Sequence, residues 1–143
     1  MASIHDGFYT MKGYNLLSKG EITSAMEDYL EMIARRERDF NYVRVVDLST
    51  QLHVKASSVS KMIQQLARVG LVNAQRYGQI TLTQEGKTLG NYLLYRHDVL
   101  HRFLCLLNHS NNELEQVEKI EHFIDEKTIK NLEQLTKKLE KNK

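Results

Sequence analysis

Apolar residues return every three or four positions from Met26 to Ala34 (Met26, Tyr29, Leu30, Ile33, Ala34), which predicts an amphipathic helix running to about Arg38. Ser24 and Glu27, three apart at its start, form a capping-box pattern: the serine accepts from an orphan amide and the glutamate reaches back. Val43 to Leu52 reads as a short second helix with Val45, Val46, Leu48 and Leu52 inward. After His53-Val54-Lys55, the run from Ala56 to Gly70 gathers Val59, Met62, Ile63 and Leu66 on one face. Serines suited to an N-cap open that run, and a glycine stops it. Leu71–Thr83 carries a Tyr77-Gly78 turn and strict alternation from Gln79 to Thr83, the pattern of a β-hairpin. From Gln84 to about Asn108 a long helix holds more Leu, Tyr and Phe than one stripe accommodates, so it expects more than one packing partner. His109-Ser-Asn-Asn112 breaks it and caps a helix over 113–124. A last amphipathic helix, 126–143, sets Ile129, Leu132, Leu135 and Leu139 on one side.

Two short helices joined by a tight turn and followed by a hairpin predict a winged helix-turn-helix. The chain therefore reads as mostly α, with an N-terminal winged helix-turn-helix over 23–83 and a C-terminal helical dimerisation unit over 84–143. The apolar surplus of the long helix and the leucine stripe of the last one are expected between two subunits. Residues 1–22 contain three of the seven glycines and no sustained period, so they read as an arm. The chain contains no proline, which favours long uninterrupted helices. Its one cysteine, Cys105, reads as a buried helix residue and excludes an internal disulfide. No apolar run reaches the roughly 20 residues of a membrane span, and no signal-peptide core opens the chain; no membrane partner and a cytoplasmic protein are expected.

Charge changes this picture more than composition does. The formal net charge is only +2, yet residues 44–96 carry Arg44, Lys55, Lys61, Arg68, Arg76, Lys87 and Arg96 against Asp47 and Glu85. Residues 113–126 carry Glu113, Glu115, Glu118, Glu121, Asp125 and Glu126 against Lys119. A basic half points to a polyanion and an acidic segment to a cation, whereas a charge run by itself is usually a solvated face. In a helix-turn-helix the second helix enters the major groove of double-stranded DNA with its N-terminal side chains at the bases. Those side chains are Lys55, Ser57, Ser58, Ser60 and Lys61, with Gln64 and Gln65 one turn on. Short serines allow close approach, glutamine pairs with adenine, and lysine finds phosphate or guanine. Arg76, at the wing tip, is placed to reach a neighbouring phosphate.

Three patches carry potential metal ligands. Asp28 and Glu31 are one helical turn apart, His97 stands in YRHDVL, and Glu118, Glu121 and His122 form VEKIEH. Spacings of three and four put each paired patch on one helix face. Any one patch is more often an ordinary surface feature; together they would bring four carboxylates and two imidazoles, with no thiolate, from three helices. That set suits Mn²⁺ or Fe²⁺. Left without a cation, such carboxylates would repel one another or take up protons. His5, His53, His101 and His109 lack acidic partners at ligand spacing and read as structural or solvent-facing.

From Ser24 to about Phe123 the chain resembles the diphtheria toxin repressor, or iron-dependent repressor, family, in its short manganese-transport-regulator branch. The resemblance rests on MEDYLEMI, SSVSKM, LTQEGKTLG, YRH and VEKIEH, in that order and spacing. It implies a homodimeric repressor of manganese uptake genes that binds a palindromic operator when loaded with Mn²⁺, two ions per subunit. By resemblance Glu31 and Glu121 bridge the ions, Asp28 and His97 serve mainly one, and Glu118 and His122 mainly the other. It also implies manganese over iron, since iron-type relatives carry methionine where this chain has Asp28. The arm of 1–22 has no counterpart in that resemblance, the last helix matches only as a helix, and the SH3-like third domain of longer relatives is absent.

Two readings from other classes stand beside it. One is a winged helix that binds DNA or a protein partner without metal. The other is an enzyme with a carboxylate-bridged metal pair, which would need Glu-x-x-His motifs on two helices; the chain offers no second copy.

Overall fold

In the computed structural model, which describes residues 22–74 and 78–142, helix α1 spans Ser24–Phe40. Its cap is Thr23, whose hydroxyl accepts from Met26 N at 3.1 Å. The capping box expected of Ser24 and Glu27 does not form: one residue of offset moves Ser24 into the helix and frees Glu27 for other partners. Asn41, at φ 70°, closes the helix two residues later than expected by donating to Glu37 O.

The segment read as one helix from Val43 divides into strand β1 (Val43–Arg44) and helix α2 (Val45–Leu52). Val43 is fully buried and pairs with Ile80, whereas Val46 faces solvent instead of the core. His53, at φ 56°, makes the turn into α3 (Ala56–Arg68). The N-cap position of α3 is Lys55, with no side-chain cap, so the expected serine cap is absent. Strands β2 (Val72–Ala74) and β3 (Gln79–Leu82) form the hairpin, and β1 adds to it in the antiparallel order β1-β3-β2.

Helix α4 (Gln84–Asn108) matches its predicted bounds. The helix expected over 113–124 is instead α5 (Leu114–Ile120), tightening into a 3-10 turn at Glu121–Phe123. Helix α6 (Glu126–Lys141) closes the described chain. Its leucine stripe divides: Ile129 and Leu132 pack inward, and Leu135 and Leu139 are exposed. The arm of 1–22, save Ile22, and the wing-tip Arg76 lie outside the described residues. No described helix is long and apolar enough to cross a membrane.

Two cores share α4. The first joins α1, α2, α3 and the sheet through residues such as Leu30, Ile33, Leu48, Leu66 and Ile80, and ends at Leu93. The second begins six residues later with Val99 and adds Leu100, Leu104, Val117 and Ile129. Two glycines seat α4 against the first unit. A Cβ on Gly86 would lie 2.0 Å from Leu71 O, and one on Gly90 would lie 2.8 Å from Ala34 Cβ on α1. That approach sets the N-terminal half of α1 beside the middle of α4. Cys105 is half-buried on α4, its sulfur 3.6 Å from His101 Nε2. Its sulfur is the only free thiol of the chain.

Candidate metal centre

Three elements converge where the two cores meet. Helix α1 brings Asp28 and Glu31, α4 brings His97, and the 3-10 turn brings Glu121 and His122. Their donor atoms make two groups, Asp28–Glu121–His122 and Glu31–His97–Glu121, each with all atoms within 4.8 Å of one another. Glu121 belongs to both and is 1% exposed. His97 Nδ1 lies 3.0 Å from Glu121 Oε2 and 3.6 Å from Glu31 Oε2. His122 Nε2 lies 2.9 Å from Asp28 Oδ1. The switch from α-helix to 3-10 after Ile120 puts Glu121 and His122 in the site, with the neighbouring Phe123 52% exposed. Glu118, one turn earlier on α5, is exposed and stands outside both groups.

The electrostatics show what so many buried acids cost. Burial, a hydrogen bond with Glu121 and that residue's charge push Glu31 up to about 7. Burial also raises Glu121, but hydrogen bonds from His97 and Glu31 outweigh it, so Glu121 is lowered and keeps its charge. The bond to Glu121 raises His97 despite burial. Contacts with Asp28 and Glu27 raise His122 to about 9. The raised Glu31 and His122 favour their protonated forms, which offsets part of the negative charge gathered here. Three carboxylates and two imidazoles without a thiolate fit a hard or borderline divalent ion.

Two further residues, Arg96 and Glu27, share the site, and periodicity points to the first in retrospect. Arg96 falls between Leu93, Val99 and Leu100 on the buried stripe of α4, and is itself buried. Its Nη2 donates to Glu27 Oε1 at 3.1 Å, and His122 Nδ1 lies 2.8 Å from the same oxygen. A charged residue on a buried stripe needs a partner. His101, His53 and His109 keep structural roles: His101 Nε2 accepts from Glu113 N at 3.2 Å, and the other two are left-handed helix caps.

The second face of interest is α3. Val59, Ile63 and Leu66 enter the first core, while Lys55, Ser57, Ser58, Ser60, Lys61, Gln64 and Gln65 are all exposed. Helix α1 is tied at its far end to the sheet and to α2, which pack in the same core as α3. Glu37 Oε2 accepts from Leu82 N of β3 at 2.7 Å, and Arg36 pairs with Asp47 of α2 at 3.6 Å.

The family model described as "Iron dependent repressor, N-terminal DNA binding domain" matches residues 21–80, and the one described as "Iron dependent repressor, metal binding and dimerisation domain" matches residues 83–143. The chain belongs to the iron-dependent repressor family. It is a transcriptional regulator and not an enzyme. Among its relatives, the HTH-type transcriptional regulator MntR of Lysinibacillus sphaericus is 35% identical over 121 residues, covering 84% of this chain and 87% of that protein. The MntR of Geobacillus thermodenitrificans is 39% identical over 103 residues, 71% of this chain and 73% of that one. Of solved family structures, the manganese regulator SloR gives a TM-score of 0.65 at 28% identity over 77% of this chain. T. acidophilum IdeR gives 0.62 at 27% identity over 74% of it. The chain spans about half the length of those two solved chains (52% and 51%). In family terms, the exposed face of α3 belongs to the DNA-binding domain, and His97, Glu121 and His122 to the metal-binding and dimerisation domain. Asp28 and Glu31 come to the site from the DNA-binding side.

Proposed function

We propose that this family member is a manganese-responsive repressor of manganese uptake genes, working in the cytoplasm as a homodimer on a palindromic operator. The observation that carries the reading is Glu121: a buried carboxylate shared by two donor groups whose remaining members come from both domains. Asp28, Glu31, His97, Glu121 and His122 would hold two Mn²⁺ ions, with Glu118, the exposed acid one turn earlier, as the sixth ligand. A bound divalent ion would supply the positive charge that protons on Glu31 and His122 otherwise provide. Asp28 as an oxygen donor favours manganese, and the MntR relatives and SloR carry names that agree.

The chain's own residues convert site geometry into DNA affinity. Asp28 and Glu31 hold the N-terminal half of α1, while Glu37 and Arg36 at its other end grip β3 and α2. Fixing α1 against α4 fixes the reading unit against the dimer domain. Two copies of α3 then sit at one operator spacing, and less ordering entropy is left to be met on binding. Lys55, Ser57, Ser58, Ser60, Lys61, Gln64, Gln65 and Arg76 form the proposed DNA contact, and the exposed Leu135 and Leu139 belong to the proposed dimer face.

The test uses DNA selected from a random pool by the Mn²⁺-loaded protein, fluorescently labelled and followed by anisotropy. Mn²⁺ should raise affinity over chelator, Fe²⁺ under anaerobic conditions less so, and Asp28→Met should let Fe²⁺ act nearly as well. Glu31→Gln and Glu121→Gln should lose the Mn²⁺ response. A parent-like response in both glutamine variants would overturn the two-ion reading.

A further inference from the structure

Arg96 is oddly placed for a site that attracts cations. It is 3% exposed, its Nη2 lies 3.5 Å from His122 Nδ1, and its buried Nε has no hydrogen-bond partner. A permanent guanidinium there repels any ion bound nearby, and burying it carries a desolvation cost. Glu27 offsets both. Its Oε1 accepts from Arg96 Nη2, so the pair is neutral as a unit.

The same oxygen decides how His122 is held. A carboxylate only accepts, so the 2.8 Å contact between Glu27 Oε1 and His122 Nδ1 puts a proton on Nδ1. The other ring nitrogen, Nε2, faces Asp28 Oδ1 at 2.9 Å. These two carboxylates are not equivalent. The Glu27 side chain is 18% exposed and clamped by Arg96, whereas that of Asp28 is 51% exposed. Nδ1 is therefore the nitrogen locked to the protein, and Nε2 is the one turned toward Asp28 and the candidate ligand group.

We propose that Glu27 and Arg96 are positioning residues of the metal centre: Arg96 fixes Glu27, Glu27 fixes His122 through Nδ1–H, and Nε2 is thereby presented to a cation beside Asp28 and Glu121. Imidazole ligands work this way when a carboxylate holds the second nitrogen, which sets both tautomer and ring angle. Here the carboxylate comes from α1, the guanidinium from α4 and the imidazole from the 3-10 turn, so Glu27 and Arg96, which do not themselves bind the ion, tie the ligand His122 to the other two elements. The inference rests on reading Asp28, Glu121 and His122 as one metal group.

The experiment uses the full chain labelled with ¹⁵N-histidine and loaded with Zn²⁺ as a diamagnetic stand-in, with His122 identified from proton–nitrogen correlations. In the parent, His122 should show a protected Nδ1–H and a metal-bound Nε2; in Glu27→Ala the two ring nitrogens should share the metal. Mn²⁺ affinity, read from the EPR signal of free Mn²⁺, should fall roughly 10- to 100-fold in Glu27→Ala and in Arg96→Met. The double variant Glu27→Gln with Arg96→Met, which keeps an acceptor for Nδ1 and leaves no lone cation, should recover most of that loss. If Arg96→Met does not fold, the parent spectrum and Glu27→Ala still decide. A parent that takes up neither Zn²⁺ nor Mn²⁺ overturns the metal reading itself. A parent that binds metal through Nδ1, or a Glu27→Ala that binds Mn²⁺ like the parent, overturns this inference alone.

Discussion

The two cores that meet on α4 differ in how complete they are. The first buries fifteen apolar residues from α1, α2, α3, the sheet and α4. The second buries five, and around it Leu107, Leu114, Phe123, Leu135 and Leu139 remain exposed. A domain with so thin a core gains by covering its apolar surface with a second copy, as a dimerisation domain does. The reading unit holds its shape through its own packing. The other unit draws on a partner chain and, at the seam, on charge.

The largest effect should follow from damage to the complete core. Leu30 is fully buried, and Leu30→Ala should cost about 2–5 kcal/mol, whereas Leu107→Ala should stay within about 0.5 kcal/mol. Urea unfolding of the chelated protein measures both, and equal costs would erase the contrast between the two cores. Next comes the open core. Leu135→Lys combined with Leu139→Lys should weaken self-association at least about tenfold, or about 1.4 kcal/mol, in sedimentation equilibrium. Unchanged dimerisation would move the interface elsewhere on the C-terminal domain.

The seam should respond to pH with opposite signs in its two states. Without metal, the contribution of His122 to stability is full below its ordinary 6.5 and is lost as pH rises through about 9. That of Glu31 is full below 4.5 and lost through about 7. Chelated protein should thus melt at lower temperature as pH rises between those values. Mn²⁺ affinity should instead strengthen, about tenfold per pH unit for each proton displaced. Calorimetry in buffers of different ionisation enthalpy would count those protons; no release would refute the exchange. The smallest effect belongs to the outer face of the reading unit. Lys61→Ala should reduce the salt dependence of DNA binding by about one unit while leaving sequence preference intact. A changed preference with the salt slope intact would mean that Lys61 reads a base.

Periodicity made the long helices legible because a stripe of apolar residues is a local signal. Helix α4 ends where its sequence pattern ends, and of the six possible ligands singled out along the chain, Asp28, Glu31, His97, Glu121 and His122 come together in the fold while Glu118 stays outside both groups. What escaped is what depends on distant partners or on a shift of one residue. Strand β1 exists because Val43 meets Ile80 across the sheet, and two residues leave no period to read. Glu27 passed for a cap because Ser24 and Thr23 are both plausible caps. Only the fold sends it to Arg96 and His122. The turn from α5 into the 3-10 segment that carries Glu121 and His122 is likewise set by packing against α4.

The contacts of Gly86 and Gly90 bear on how tolerance to mutation should be read in this protein. In a saturation screen scored by repression, both positions should rank with the proposed metal ligands, because any side chain there would run into Leu71 O or the Ala34 methyl. Neither belongs to the two candidate ligand groups or to the proposed DNA contact. A sensitivity map taken alone would therefore draw the regulatory site too large, spreading it along the groove between α1 and α4. Substitutions there would be told apart by how melting of the chelated protein depends on pH: a lost His122 or Glu31 changes that dependence, whereas a wedge between two helices lowers the melting temperature at every pH.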